Sequence, residues 1–453
     1  MMKFLDFVKD NVVCLDGGCG TYLQKNGLAG GELPERWNVS HPEIIAGMHK
    51  AYYDAGSNVV FTNTFGANAI KYSDEELEAV VSAAVANAKA AREQSAAPQE
   101  KFVALDIGPL GKLLKPMGEL DFDDAVEIFA KTVRFGAAAG VDLVVVETMS
   151  DSYETKAAVV AVKENCDLPV LVTNAYGDGG RLMTGASPAV MVAMLEGMGV
   201  DLIGANCSLG PKQLRGIVSE ILAAASVPVV LKPNAGLPRI EDGKTVFDVT
   251  MEEFAEEVAD MVRSGVRAVG GCCGTTPEYI ACLNEKLQGV APVALVEKDN
   301  AVVTSSSRTV SFSDDVEIAA LDPEENEDYC EALQEGELDD VMDEVYDLQD
   351  DEPDMIAVSV AAEGVDEEEM LCAVMEEMQA VIKEPLLLQS GNAAALDKAL
   401  RRYNGRPAVQ LPVDVDMAAV APVVKKYGAL VLAEAAQRTE LLSCGVKDKA
   451  IIC

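Results

Sequence analysis

Along the first 298 residues the hydrophobic pattern repeats a single unit. A short apolar, β-branched run ends on Gly, Asn, Asp, Glu or Cys, and a longer stretch rich in Ala, Val and Glu follows it. The runs cover 12–16, 58–63, 102–106, 143–147, 170–174, 202–207, 229–234 and 268–273. Continuous apolar runs of this length suit parallel strands buried on both faces, whereas one-sided strands would alternate. Between them, 75–93, 123–139, 211–225 and 251–264 show the spacing of amphipathic crossover helices. Eight strand–helix units in this length match a (β/α)8 TIM barrel in number and size. A doubly wound open sheet is the alternative that pattern alone leaves standing.

The pattern changes near residue 299, and here charge adds to the picture. Residues 1–298 hold 40 acidic and 25 basic side chains, residues 299–453 hold 35 and 11, and the net charge of the 453 residues is −39. From Asp314 to Glu369 there are 25 acidic side chains and no Lys or Arg, just after the Ser/Thr-rich stretch at 304–307. This predicts a barrel over 1–298, an acidic and Ser-rich linker over 299–325, and a smaller α/β domain over 326–453. The acidic run reads as a linker plus a solvated helix face. So negative a chain repels phosphate backbones and anionic lipid, which argues against nucleic acid and membrane partners. The N-terminus lacks an apolar signal core and no stretch is long enough to span a bilayer, so a cytoplasmic protein with reduced thiols is expected.

In a barrel the chemistry gathers where the strands end. Those ends carry Asp16, Thr62-Asn63, Asp106, Glu147, Asn174, Asn206-Cys207, Lys232 to Asn234 and Cys272-Cys273. Cys207, Cys272 and Cys273 fall on the sixth and eighth runs, which flank the seventh. Three thiolates suit zinc and would leave a fourth position open, as catalytic sites do. Spacing equally allows three small buried apolar side chains. Gly17-Gly18-Cys19-Gly20 lacks the Lys-Ser/Thr of a phosphate loop and fits close backbone approach to a small ligand, with Asp16 offered to a cationic group. His41 and His49 lie away from the strand ends and read as structural.

These residues resemble the homocysteine-binding domain of the zinc-dependent homocysteine S-methyltransferases, the module that opens cobalamin-dependent methionine synthases. The resemblance covers roughly residues 10–290 and rests on six ordered motifs: Leu15-Asp16-Gly17-Gly18-Cys19-Gly20-Thr21, Thr62-Asn63-Thr64-Phe65-Gly66-Ala67-Asn68, Asp106-Ile107-Gly108-Pro109, Val146-Glu147-Thr148-Met149, Asn206-Cys207-Ser208-Leu209-Gly210-Pro211 and Gly270-Gly271-Cys272-Cys273-Gly274-Thr275-Thr276-Pro277. It implies Cys207, Cys272 and Cys273 as ligands of Zn2+ and as the catalytic set. It assigns Asp16 and Glu147 to the homocysteine ammonium, with backbone amides holding the carboxylate. Asn206 would order the metal loop at the substrate, and Asn63 and Phe65 would form pocket wall. Cys19 departs from the family, which more often has an apolar residue there, and reads as packing or as a fourth thiol.

Residues from about 327 to 433 are similar to the first half of the methyltetrahydrofolate-binding barrel of methionine synthases, through Ile356-Ala357-Val358-Ser359-Val360 with 364–368, 385–392 and 425–429. Where that family carries pterin-facing acid and amide groups, this chain has Ala357, Ser359 and Gln389. The strands are too few to close a barrel, so a partial, barrel-like domain that does not bind folate is expected. A cobalamin module with its Asp-x-His-x-x-Gly motif is not expected either, since no histidine follows His49. The resemblance therefore implies a methyltransferase that activates homocysteine as a zinc thiolate and forms methionine. Its donor would be a methylated corrinoid protein acting in trans, or S-methylmethionine or betaine. A homocysteine-binding regulatory protein is the non-enzymatic alternative.

Overall fold

The computed structural model describes residues 2–241, 244–298, 301–313, 315–349 and 352–453. It divides into two units: Met1–Met183 with Val200–Glu297, and Thr184–Gly199 with Lys298–Cys453.

In the first unit eight parallel strands form one sheet: β1 Val13–Cys14, β2 Val59–Phe61, β3 Phe102–Ile107, β4 Leu143–Met149, β5 Val170–Asn174, β6 Leu202–Asn206, β7 Val229–Lys232 and β8 Val266–Val269. β2 to β7 follow one another in space, β8 pairs with β7, β1 pairs with β8, and a parallel bridge from Leu15 to Val59 brings the ends together. The closed barrel excludes the open doubly wound sheet. Its interior is an apolar cluster that includes Val13, Leu15, Val59, Phe61, Ala104, Val145, Leu171, Leu202, Val230 and Ala268. The N-terminal helix Phe4–Asp10 adds Phe4 and Val8 to this cluster, with the Phe4 ring edge-on to Phe102 at 5.4 Å.

Local signals set the helices. Phe122–Ala139 starts under an Asp121 cap and stops at Gly140, whose φ of 80° is the left-handed value glycine adopts most cheaply. Met251–Arg263 begins with a capping box between Thr250 and Glu253. The eighth strand starts earlier than its apolar run and ends at Val269, so Gly270 to Cys273 lie beyond it. That stretch turns because the Gly271 amide bonds the Asp16 carbonyl and the Cys272 amide bonds the Pro233 carbonyl, in place of a continuing ladder.

The second unit holds a parallel sheet of six strands in sequential order: β11 Ile318–Leu321, β12 Met355–Val358, β13 Leu386–Gln389, β14 Ala408–Gln410, β15 Leu430–Leu432 and β16 Ile451–Ile452. An antiparallel pair, β9 Val302–Thr304 and β10 Thr309–Ser311, precedes it. Residues 299–325, expected as a linker, therefore carry three strands. Their apolar runs are only two to four residues long and are masked by the Ser and acidic residues around them. The contiguous boundary at 298 also misses that Thr184–Gly199 belongs with this unit. Eight of the ten residues of helix Pro188–Gly197 are buried, and a helix with no solvated face needs cover all round. The helices Glu327–Glu335 and Leu338–Gln349 bury Tyr329, Leu333, Val341 and Val345 and turn most of their acidic side chains to solvent.

Candidate active site

A cavity of about 380 Å3 opens at the C-terminal ends of the barrel strands, lined by the Gly17–Gly20 turn, Asp16, Asn63, Phe65, Asp106, Glu147, Lys232 and the three cysteines, among others. Among the described residues, Cys207, Cys272 and Cys273 form one group whose sulfurs all lie within 4.8 Å of one another, and Cys207 Sγ is 3.9 Å from Cys273 Sγ. Tetrahedral zinc with thiolate bonds of about 2.3 Å separates its sulfurs by about 3.8 Å, so the donor set fits a three-thiolate metal site.

Backbone conformation produces this convergence. Cys207 and Ser208 have φ of 58° and 57°, left-handed values that cost non-glycine residues on the order of 1 kcal/mol or more each. They reverse the chain after β6 and leave the Cys207 amide bonded to the Lys232 carbonyl. Opposite them, Gly274 at φ 81° lets two adjacent cysteines present sulfur to one point. Gly18 must lack a side chain because a Cβ there would lie 2.7 Å from the Cys272 carbonyl oxygen. Asn234, unassigned from sequence, ties the two loops together: its Oδ1 accepts the Cys273 amide at 3.1 Å and its side chain hydrogen-bonds the Cys207 sulfur. Without metal, hydrogen bonds from Cys272 and Cys273 hold the Cys207 thiol far below its usual pKa, while the hydrogen bond to Cys207 drives the other two up.

The carboxylates expected to face an ammonium are already engaged. Lys232 Nζ sits 3.0 Å from Asp16 Oδ1, 3.5 Å from Glu147 Oε2 and 3.5 Å from the centroid of the Phe61 ring. Asp16 Oδ2 also accepts the Phe61 amide at 2.7 Å. Burial pushes both carboxyls up, opposed by the Lys232 ammonium. Burial also works against the Lys232 charge, but Asp16 and Glu147 more than offset it and its pKa is raised. Lys232 was visible as a strand-end residue, but only the closed barrel shows that strands one, four and seven aim at one point.

Asn206 departs from its expected place. It is fully buried and does not line the cavity: its Oδ1 accepts the Thr148 amide at 2.8 Å and its Nδ2 donates to Thr148 Oγ1 at 2.7 Å. It holds the left-handed Thr148 turn beside Glu147, because the chain turns out of the barrel one residue later, at Cys207. Asn63 donates to the Pro34 carbonyl and accepts the Cys19 thiol at 3.4 Å. Cys19 lines the cavity but lies outside the three-sulfur group. Phe65 stands at the rim, 40% exposed. His41 stacks on Trp37, His49 is buried with neither ring nitrogen bonded among the described residues, and neither histidine lines the cavity.

Asp106 and Glu35 complete the wall. Glu35 accepts the Gly66 amide and the Tyr72 hydroxyl. Asp106 is 6% exposed and its Oδ1 has no hydrogen-bond partner among the described residues. Burial and then the Glu147 charge push its carboxyl well above the usual range.

In the second unit Ala357 is buried, Ser359 accepts the Tyr329 hydroxyl through its carbonyl, and Gln389 donates to Gln410 at 2.8 Å. No described helix in the chain is long and apolar enough to cross a membrane.

Comparison with known proteins agrees with this architecture. The methionine synthase of Mycobacterium tuberculosis is 26% identical over 434 residues, spanning 89% of this chain and 36% of that protein. That of Mycobacterium leprae is 29% identical over 295 residues, 61% of this chain and 24% of that protein. The chain thus spans about a third or less of these relatives. The metallated form of the homocysteine methyltransferase MmuM from Escherichia coli superposes with a TM-score of 0.53 at 23% identity, over 61% of this chain and 97% of that one, a likeness of fold. The homocysteine S-methyltransferase profile matches residues 13–287, more than half of the sequence, and the chain belongs to that family.

Proposed function

We propose that this chain is a zinc-dependent methyltransferase that converts homocysteine to methionine. The observation that carries the reading is the meeting of three cysteine sulfurs with a buried carboxylate group in one cavity. Cys207, Cys272 and Cys273 would hold the ion, and bound zinc lowers the pKa of a coordinated thiol and so supplies a nucleophile at neutral pH. Asp16 and Glu147 mark the end of the cavity that takes the ammonium, and the Gly17–Gly20 turn lies beside them to take the carboxylate. Asn234 keeps the Cys207 and Cys273 loops in register. Held by its amino-acid end, a substrate reaches the three-sulfur group with its thiol, and fixed orientation of this kind removes much of the entropic barrier to in-line methyl transfer.

For the donor we favour a methylated corrinoid protein acting in trans, because similarity to methionine synthase runs past the barrel into the second unit. S-methylmethionine and betaine are the small-molecule alternatives. Methionine formation by the zinc-loaded protein with each donor in turn tests the reading, and turnover with methylated corrinoid protein is expected. Tight homocysteine binding with no turnover from any donor would refute the enzymatic reading and favour a homocysteine-binding regulator.

A further inference from the structure

Two threonine hydroxyls lock the Gly17–Gly20 turn to the loop that carries Cys272 and Cys273. Thr275, two residues after Cys273, is fully buried. Its Oγ1 accepts the Gly18 amide at 3.0 Å and donates to the Cys272 carbonyl at 2.6 Å, so one hydroxyl bridges the turn to the cysteine loop. Thr21 makes the reciprocal bond: its Oγ1 accepts the Gly274 amide at 3.0 Å. Gly17 and Gly271 leave room for the first bridge, since a Cβ on either would overlap the Thr275 side chain. Tyr52 braces the turn by donating to the Gly18 carbonyl at 3.2 Å. On its other side the cysteine loop is held by Asn234. Turn and loop therefore move as one body, although 257 positions separate Gly18 from Thr275.

We infer that Thr21 and Thr275 are positioning residues that fix the span between the three sulfurs and the turn, and so select the substrate by chain length. The inference rests on homocysteine being the substrate, held at the turn by its amino-acid end. A thiol bound at both ends must bridge a set distance. Homocysteine and cysteine carry the same end groups and differ by one methylene, so a fixed span favours the longer, whereas a loose one lets the turn follow the shorter. Removing either hydroxyl leaves the thiolates and carboxylates in place. Buried backbone groups that lose a partner are costly, so turn and loop relax to find others and the span is no longer set.

The test measures L-homocysteine and L-cysteine by calorimetry on the zinc-loaded full chain, with zinc content by elemental analysis. Wild type should prefer L-homocysteine by about tenfold or more, the scale of one methylene in a fixed pocket. Thr275→Val keeps the shape and loses the hydroxyl. It and Thr21→Val should each lower the preference about fivefold, the scale of one net hydrogen bond, with zinc content unchanged. Thr275→Ser and Thr21→Ser retain the hydroxyl and should keep the wild-type preference. Thr21 is only partly buried, so Thr21→Val carries the test by itself should Thr275→Val fail to fold. An unchanged preference in the Val variants, equal weakening of both thiols, loss of zinc, or a Ser variant as impaired as its Val counterpart would overturn the assignment. A wild type that binds neither thiol, or both equally, would overturn the homocysteine reading as well, which separates the two failures.

Discussion

Replacing Lys232 by Met removes the ammonium that faces Asp16 and Glu147 while keeping a chain of similar length over Phe61. Lys232, Asp16 and Glu147 are 3%, 4% and 7% exposed, so water cannot take the place of the lost charge. Breaking a buried pair by deleting one partner typically costs about 3–5 kcal/mol, because the other charge stays behind unpaired. The single Trp of the chain, Trp37, is buried in the first unit, so its fluorescence follows barrel unfolding without the second unit's signal. With a urea slope of about 3 kcal/mol/M, the midpoint at pH 8 should fall by about 1–1.7 M. The loss should depend on pH. In the variant the Lys232 ammonium no longer opposes the burial that raises Asp16 and Glu147, so their folded pKa values rise further above their unfolded ones. Such groups cost stability at high pH, and that cost fades as pH falls through the folded pKa toward unfolded values of about 4. The gap between wild type and variant should therefore narrow from pH 8 to pH 5, with zinc saturating both so that the cysteines do not contribute. A midpoint shift below about 0.3 M at pH 8, or a gap constant with pH, would refute the reasoning.

Further outcomes are expected. Cys207→Ser, Cys272→Ser and Cys273→Ser should each lose most bound zinc on gel filtration followed by elemental analysis, since two protein thiolates remain; full occupancy in all three would rule out the site. Gly428→Ala should destabilise the second unit by about 2–4 kcal/mol in thermal unfolding, because φ is 70° and a Cβ would overlap the Gly197 backbone. The intact chain should show no saturable binding of methyltetrahydrofolate by calorimetry, given Ala357, Ser359 and Gln389; saturable binding would show that other groups read the pterin.

The barrel was legible in the sequence because strands buried on both faces must be continuously apolar, and eight such runs in 298 residues leave few architectures. Cys207, Cys272 and Cys273, which the structure brings together, were singled out by the family resemblance, since their spacing equally allowed three small buried side chains. Two things were not legible. Short strands such as Val302–Thr304 carry too few residues to stand out from a Ser-rich background. Pairings across the barrel were also hidden: Asp16, Glu147 and Lys232 are separated by 85 residues or more, and each alone reads as a polar strand end. Periodicity reports which face of its own element a side chain occupies. Only closure of the sheet places strands one, three, four and seven around one cavity, which is what turns Lys232 into a counter-ion and Asn206 into a brace for Thr148.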